Sequence, residues 1–206
     1  SGVFIADPDP LSDFPVPQSR LLTHAGSGCD DGKIQSLPPA IQSLLRPNSK
    51  GIILIAFGRF VDWSKAPEPS QKAMFAALAE LNDYDIFWRL PSGNLTSIPN
   101  HIHLLDWLPQ KELLSHPKTK LFISHAGMKS MRESVCSGVP SLFVPIFIDQ
   151  PRNALVAGRA PHVRVLDKFN LTKESLLGEI KVLLRIGRDE VSYIFGACSF
   201  SFVDLL

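Results

Sequence analysis

The strongest chemical signal in the sequence is the tetrapeptide Ser124-His125-Ala126-Gly127, where a predicted buried strand runs into a predicted helix. Small residues at such a turn let a ligand approach the backbone closely, and the free N–H groups of a helix start attract a phosphate. His125 can donate a hydrogen bond to a phosphate oxygen. The same residues also fit a tight turn with a half-exposed histidine, so this junction alone leaves both interpretations open.

A second polar pair, Asp149-Gln150, follows the apolar run Ile146-Phe147-Ile148. A carboxylate beside an amide can bind several hydroxyl groups, as sugar recognition requires. Asp149 fits equally well as the N-cap of a helix with Pro151 near its start, and alone the pair favours that interpretation. The glycine-rich segment 26–32 has the wrong spacing for GxGxxG and favours an ordinary loop over an NAD site.

The elements that must position these residues alternate between strand and helix. Strands are predicted at Arg20–Ala25, Gly51–Phe57, Asp85–Leu90, His101–Leu105, Leu121–Ser124, Ser141–Val144 and Val163–Leu166. Helices are predicted at Leu37–Arg46, Pro67–Leu81, Gln110–His116, Met128–Ser137, near Asn153–Gly158 and at Thr172–Leu184. This alternation predicts an α/β, Rossmann-like, doubly wound parallel sheet. Its ligand should lie beyond the carboxyl ends of the strands.

Composition limits the classes of partner. The 206 residues carry 21 Lys+Arg against 20 Asp+Glu, a net charge of +1, which gives no general reason to bind nucleic acid. Three cysteines without a CxxC pair exclude a disulfide scaffold and a zinc ribbon. His101 and His103 on one strand favour ordinary packing over a metal pair, so no metal site is predicted. The C-terminal run 191–206 is too interrupted for a membrane span, and we expect a soluble chain.

The Ser124–Gly127 junction and the Asp149-Gln150 pair become more specific evidence when they are considered together with the segment Trp107-Leu108-Pro109-Gln110. From Trp107 to Gln150 the sequence resembles the UDP-glycosyltransferase (UDP-glucuronosyltransferase-like) family: a W-x-P-Q element, a strand ending in Ser/Thr-His-Gly/Ala-Gly, a helix carrying Glu, Gly-x-Pro, and a strand ending in Asp-Gln. The resemblance extends upstream through residues 13–15 and 51–58, and downstream to about Leu184. It implies the C-terminal, nucleotide-sugar-binding half of a GT-B glycosyltransferase.

The resemblance also implies roles for individual residues. Trp107 would stack on uracil, and Gln110 would bond near the base and ribose. His125 and the Gly127 amide would hold the pyrophosphate, Glu133 the ribose, and Asp149 with Gln150 the sugar. The implied nucleotide-sugar site is Trp107, Gln110, Ser124, His125, Gly127, Lys129, Glu133, Asp149 and Gln150. Without the family context, Trp107 would be expected in the core and Glu133 on a solvated helix face.

The implied reaction is inverting transfer of a hexosyl or glucuronosyl group from a UDP-sugar to a small lipophilic acceptor. The UDP-sugar is a substrate, and no cofactor is expected. The catalytic base and acceptor pocket would lie in an N-terminal domain, which is the expected partner, so this chain should carry no catalytic residue. Arg59 and Lys129 stand where the family usually has Ser and Asn, and Ala126 replaces a glycine. The alternative is therefore a catalytically silent UDP-sugar-binding or interaction module, a truncated product that pairs with full-length relatives.

The expected organisation is an extended linker at 1–19, a UDP-sugar-binding domain at 20–186 and a divergent tail at 187–206. Asn-Leu-Thr sequons begin at Asn94 and Asn170, and they matter only in the secretory lumen. The family resemblance implies the lumenal side of the endoplasmic reticulum membrane.

Overall fold

The computed structural model describes residues 4–6, 22–24, 36–90, 98–187 and 191. Strands are β1 Phe4–Ala6, β2 Leu22–His24, β3 Ile52–Ala56, β4 Asp85–Arg89, β5 Ile102–Leu105, β6 Thr119–Ser124, β7 Ser141–Phe143 and β8 Val163–Val165. Helices are α1 Pro39–Gln42, α2 Glu68–Ala79, α3 Gln110–Ser115, α4 Met128–Ser137, α5 Gln150–Ala157 and α6 Lys173–Arg185, with 3-10 turns at Trp63–Lys65 and Lys168–Asn170. The glycine-rich segment 26–32 and the tail beyond Val191 lie outside the described residues.

Six strands form one parallel sheet in the order β5-β4-β3-β6-β7-β8. From β3 the chain adds strands in one direction, and from β6 it adds them in the other. The predicted doubly wound, Rossmann-like sheet is therefore confirmed. The reversal creates a crevice beyond the carboxyl ends of β3 and β6, which is where ligands bind in such sheets.

The sheet is buried on both faces, as its continuous apolar strands require. Along β3, Ile53 and Ile55 pack with α2 and α6, whereas Ile52 and Leu54 pack on the opposite side with α1, α3 and α4. This division follows from the two-residue period of a strand. Every β3 residue is buried, so the strand that ends at the crevice is held in place by the core.

Most helix ends follow local sequence signals. Gly138 closes α4 in the left-handed conformation, with φ 63°, as the predicted Gly-Val-Pro stop requires. Thr172 and Ser175 form a reciprocal capping box at the start of α6. These ends agree with the predicted helices to within a residue or two.

Three boundaries differ from the predictions. α1 is a single turn rather than Leu37–Arg46, because Arg46 leaves the helix to place its backbone N–H and guanidinium on the Asp85 carboxylate, at 3.0 and 2.6 Å. α5 begins at Gln150, three residues before the predicted start. The predicted linker contains β1, which pairs in parallel with β2 in a separate two-stranded sheet.

His101 and His103 make structural contacts. His101 Nε2 lies 3.1 Å from the Leu78 carbonyl oxygen, and the His103 ring packs against Phe87. Among the described residues, no group of three His, Cys, Asp or Glu side chains could hold a metal ion. The helices within the described ranges include none that is long and apolar enough to cross a bilayer.

Candidate nucleotide-sugar site

The turn between β6 and α4 brings Ala126 and Gly127 to the start of a ten-residue helix. Ala126 is fully buried in the left-handed conformation, with φ 62°, which costs a non-glycine residue about 1–2 kcal/mol. Gly127 then serves as the N-cap of α4 and makes no side-chain capping bond. In the described part of the chain, no side chain accepts from the first-turn N–H groups of this ten-residue helix, which lie at the positive end of its dipole.

His125 lies beside this helix start, and one edge of its ring, Nε2 and Cε1, lies close to two glycines. A Cβ atom on Gly58 would come within 2.8 Å of His125 Nε2, and one on Gly127 within 2.7 Å. Ring Nδ1 lies 3.2 Å from Ser124 Oγ, which itself donates to the Ala56 carbonyl oxygen at 2.8 Å. Because the Ser124 hydroxyl proton is already donated to Ala56, Ser124 Oγ can only accept from His125, so Nδ1 carries the proton that it donates. In this neutral ring, Nε2 is an acceptor.

Burial lowers the pKa of His125 below its ordinary value of 6.5, and the Asp149 carboxylate opposes this change. Because the lowered pKa keeps the free ring mainly neutral at pH 7, Nε2 needs a proton before it can donate to a phosphate. A phosphate beside the ring would favour that protonation. The turn therefore combines permanent backbone donors with one side chain that responds to a bound anion.

Asp149 is exposed at the N-cap position of α5, but its carboxylate makes no capping bond to the backbone. Instead Asp149 Oδ2 accepts from Asn153 Nδ2 at 2.7 Å, and the same amide nitrogen lies 3.1 Å from the Ala126 carbonyl oxygen. Asp149 therefore occupies the predicted N-cap position, but its carboxylate bonds to the Asn153 side chain rather than to the backbone of the first turn. Asn153 ties the anion turn to the carboxylate that faces the cleft.

Gln150 is nearly buried and largely committed within the protein. Its Oε1 accepts from the backbone N–H groups of Ile146 and Phe147, at 2.9 and 3.0 Å. These bonds fix the loop that leads into α5. Only the amide Nε2 of Gln150 is left to donate to a ligand.

A second polar group forms where α3 meets α4. Gln110 Nε2 donates to Glu133 Oε2 at 2.7 Å and to Ser130 Oγ at 3.1 Å. Glu133 is half-buried, so it is not an ordinary solvated position. Trp107 is 67% exposed. The core alternative for Trp107 is therefore wrong, and its ring is available for stacking.

A cleft of about 450 Å³ joins the carboxyl ends of β3, β6 and β7. Of the predicted site residues, it is lined by His125, Gly127, Lys129, Asp149 and Gln150. Ser124 lies behind His125, while Trp107, Gln110 and Glu133 do not line this cavity. Ser130 both lines the cleft and accepts from Gln110, so it links the two groups.

Arg59 and Lys129 both line the cleft and are exposed. In the described part of the chain, neither cation forms an ion pair with a carboxylate. Arg59 and Lys129 thus add two positive charges to a cleft whose described lining includes one carboxylate, that of Asp149. That distribution suits a multiply charged anion.

Two residues that shape the site were not predicted as part of it. Gly58 has φ 73°, and its carbonyl oxygen accepts a hydrogen bond from Arg89. A glycine directly after a buried apolar strand is a signal that could have indicated it. Asn153 bonds to the Ala126 carbonyl oxygen, 27 residues away, and to the Asp149 carboxylate, four residues away. The first of these contacts exists only in the folded chain, so no local pattern reveals the role of Asn153.

Comparison with known proteins agrees with this geometry. Residues 10–191 match the family model described as UDP-glucoronosyl and UDP-glucosyl transferase. The chain belongs to this UDP-glycosyltransferase family. It is 32% identical over 179 residues to a putative UDP-glucuronosyltransferase, ugt-60, of Caenorhabditis elegans, covering 86% of this chain and 35% of that protein. It is 30% identical over 186 residues to human UDP-glucuronosyltransferase 1A9, covering 89% and 34%.

Solved structures confirm the fold of this family member. The spinosyn forosaminyltransferase SpnP matches with a TM-score of 0.73 at 18% identity, covering 96% of this chain and 50% of that one. Arabidopsis thaliana UGT89C1, solved with UDP, matches with a TM-score of 0.63 at 16% identity, covering 84% and 45%. These neighbours are GT-B glycosyltransferases, so the predicted fold class is confirmed. The chain spans about a third of the length of its curated relatives.

Proposed function

We propose that this chain is the donor-binding, C-terminal half of a UDP-glycosyltransferase. Joined to an N-terminal acceptor half, it would transfer a hexosyl or glucuronosyl group from a UDP-sugar to a small lipophilic acceptor with inversion. The observation that carries the proposal is the convergence of His125, the α4 helix start and Asp149 on one cleft at the switch point of the sheet. Family membership over residues 10–191 supports the same donor.

The diphosphate fits the β6–α4 turn for electrostatic reasons. The first-turn N–H groups of α4 donate to phosphate oxygens, and protonated His125 donates from Nε2. Lys129, in the first turn of the same helix, adds a cation. When the sugar–phosphate bond breaks, negative charge grows on the departing UDP, and these groups stabilise it.

The uridine part of the donor fits the side chains of Trp107, Gln110 and Glu133, near the contact between α3 and α4. Trp107 offers a free aromatic face for uracil. Gln110 Nε2 already donates to Glu133 Oε2 and Ser130 Oγ, so Gln110 offers its Oε1 as an acceptor to the base, and Glu133 offers its remaining carboxylate lone pairs to the ribose hydroxyls. Ser130 connects this group to the cleft, so one extended ligand can contact both.

The sugar would lie between Asp149 and the Gln150 amide. Asp149 Oδ2 is shared with Asn153, and the remaining carboxylate lone pairs can accept from sugar hydroxyls. In an inverting transfer, a base removes the acceptor proton as the acceptor oxygen attacks the anomeric carbon from the face opposite the UDP. We assign that base to the N-terminal half, so this half supplies donor binding and leaving-group stabilisation.

Calorimetric titration of the folded chain with UDP tests this function, with ADP and NAD as controls. Selective UDP binding is expected, because family membership over residues 10–191 indicates a UDP-sugar donor. A folded chain that fails to bind UDP would contradict the proposal and leave the silent interaction module as the better description.

We further propose that the domain resides on the lumenal side of the endoplasmic reticulum. Asn170 is exposed in the turn before α6, so its Asn-Leu-Thr sequon is accessible to glycosylation. Expression in secretory cells should give a glycosidase-sensitive product, and Asn170→Gln should remove one glycan. A product whose mobility is unaffected by glycosidase would contradict the placement.

A further inference from the structure

Ile148, between β7 and α5, has a strained backbone. Its φ is 59°, in the left-handed region, where Cβ of an L-residue comes too close to the following carbonyl oxygen. A β-branched residue in this region is an outlier. Among the non-glycine residues that the structure describes, only Ala126 also has a positive φ. The strain at Ile148 is therefore a particular feature of this loop.

The local fold gives no reason for isoleucine at this position. The Gln150 N–H donates to the Phe147 carbonyl oxygen at 3.3 Å, so Ile148 and Asp149 are the two central residues of a tight turn. A turn with positive φ at its first central residue ordinarily has glycine, asparagine or aspartate there. Glycine at position 148 would adopt the same conformation without strain.

Hydrogen bonds on both sides hold this turn. Gln150 Oε1 accepts from the backbone N–H groups of Ile146 and Phe147, before the strained residue. After it, the Asp149 carboxylate accepts at 2.7 Å from Asn153, which is buried. Strained conformations persist where the surrounding structure over-determines them, and such residues are concentrated at ligand sites.

Packing within the described chain does not offset the strain either. Ile148 is 84% exposed, so folding removes little of its apolar surface from water. Ile148 does line the donor cleft, directly before Asp149. A pyranose ring has hydroxyl groups around its edge and C–H groups on its faces. A sugar whose hydroxyls bond to Asp149 can therefore place a C–H face against a neighbouring apolar side chain.

We propose that Ile148 contacts the donor sugar and makes the site distinguish the intact UDP-sugar from the product UDP. Its side chain packs against the C–H face of the sugar, which UDP lacks, and the strained turn holds it there. This assignment rests on the proposed function and deepens it, because it adds an apolar contact to the hydroxyl contacts of Asp149. Glycine at this position would relieve the strain and lose the contact.

Calorimetric titration of the full chain with UDP-glucose and with UDP tests this contact. Ile148→Gly and Ile148→Ala should each weaken UDP-glucose at least about threefold, as expected for losing about one buried methylene group. UDP affinity should stay within about twofold of the parent value. Leu155→Ala is the matched control, because Leu155 is 67% exposed on α5 and does not line the donor cleft. It should leave both affinities unchanged.

Urea unfolding of the same variants separates the sugar contact from an effect on the fold. Ile148→Gly should unfold at a higher urea concentration than the parent chain, because the left-handed turn is then unstrained. Ile148→Ala keeps a Cβ atom and should gain less. A variant that is more stable and yet binds UDP-glucose more weakly cannot owe that loss to a damaged fold.

An unchanged ratio of UDP-glucose to UDP affinity in Ile148→Gly would overturn the assignment. A lower urea midpoint for Ile148→Gly would also overturn it, since the side chain would then stabilise the fold itself. A parent chain that binds UDP but not UDP-glucose would remove the sugar contact and leave the nucleotide site. A folded parent chain that binds neither ligand would remove the proposed function and this contact together.

Discussion

Substitution of Gly127 by alanine tests whether UDP binding requires the observed position of the His125 ring. The backbone of Gly127, with φ −64° and ψ 135°, is accessible to alanine. The new Cβ would lie 2.7 Å from His125 Nε2 and 2.8 Å from its Cε1, closer than such atoms can approach. The His125 ring must therefore shift from its position, and Gly58 lies close to the same edge of the ring.

The expected effect on UDP follows from the bond that is lost. A hydrogen bond to a charged group contributes about 1.5–3 kcal/mol, which corresponds to roughly 10- to 150-fold weaker UDP binding. Uridine lacks phosphate and should bind as before. Alanine is also a poorer N-cap than glycine, so the variant should lose about 1 kcal/mol of folding stability.

Calorimetry with UDP and uridine, together with urea unfolding, separates these effects. The matched control is Gly178→Ala on α6, where an added Cβ meets nothing within 4 Å. That change should leave UDP affinity unchanged and stabilise the fold by about 0.5–1 kcal/mol. If Gly127→Ala folds and binds UDP within twofold of the parent chain, His125 does not contact the diphosphate, and the reasoning from the glycine pair is wrong.

Three further outcomes are expected. Trp107→Ala should weaken UDP and uridine alike by about 1–3 kcal/mol, the range for one base stack; calorimetry that finds either affinity unchanged would remove Trp107 from the site. Lys129→Asn should weaken UDP more than uridine, by less than about 1 kcal/mol because Lys129 is exposed; tighter UDP binding would show that the lysine obstructs the cleft. Burial lowers the pKa of three histidines: His103, His125 and His162. The unfolded chain therefore binds more protons just below pH 6.5, and the free energy of unfolding should fall as pH drops from 7.5 to 5.5; urea titrations that show no fall would contradict these burial effects.

The sheet could be predicted from sequence because its signals are local. Apolar runs such as residues 52–56, and the prolines and glycines between elements, indicate strands and helices without knowledge of the fold. The end of α1 could not be predicted in this way. It depends on the Asp85 carboxylate, 39 residues away in sequence, which binds the backbone and side chain of Arg46.

The candidate site likewise contains some residues that local sequence predicts and others whose roles depend on the folded chain. His125, Gly127 and Asp149 were predicted at strand ends, and the switch point brings them to one cleft. The alternatives left open for Trp107 and Asp149 were decided only by exposure and by the bond from Asn153. A second cavity, of about 480 Å³, had no local signal in the sequence, because Phe60, Phe147 and Phe169 in its lining come from three separate segments that meet only in the folded chain.

The three departures from the family pattern, Arg59, Ala126 and Lys129, lie in or beside the candidate cleft, and two of them add positive charge. Ala126 has a left-handed conformation, which a glycine would adopt without strain, and the Asn153 bond to its carbonyl oxygen helps to hold it there. Arg59 and Lys129 are exposed, and the cleft beside them retains about 450 Å³, so they reach toward solvent rather than fill it. Two cations without ion-pair partners among the described residues should attract a diphosphate more strongly than the Ser and Asn that they replace. Loss of donor binding, if it occurs, therefore requires a cause other than a blocked cleft.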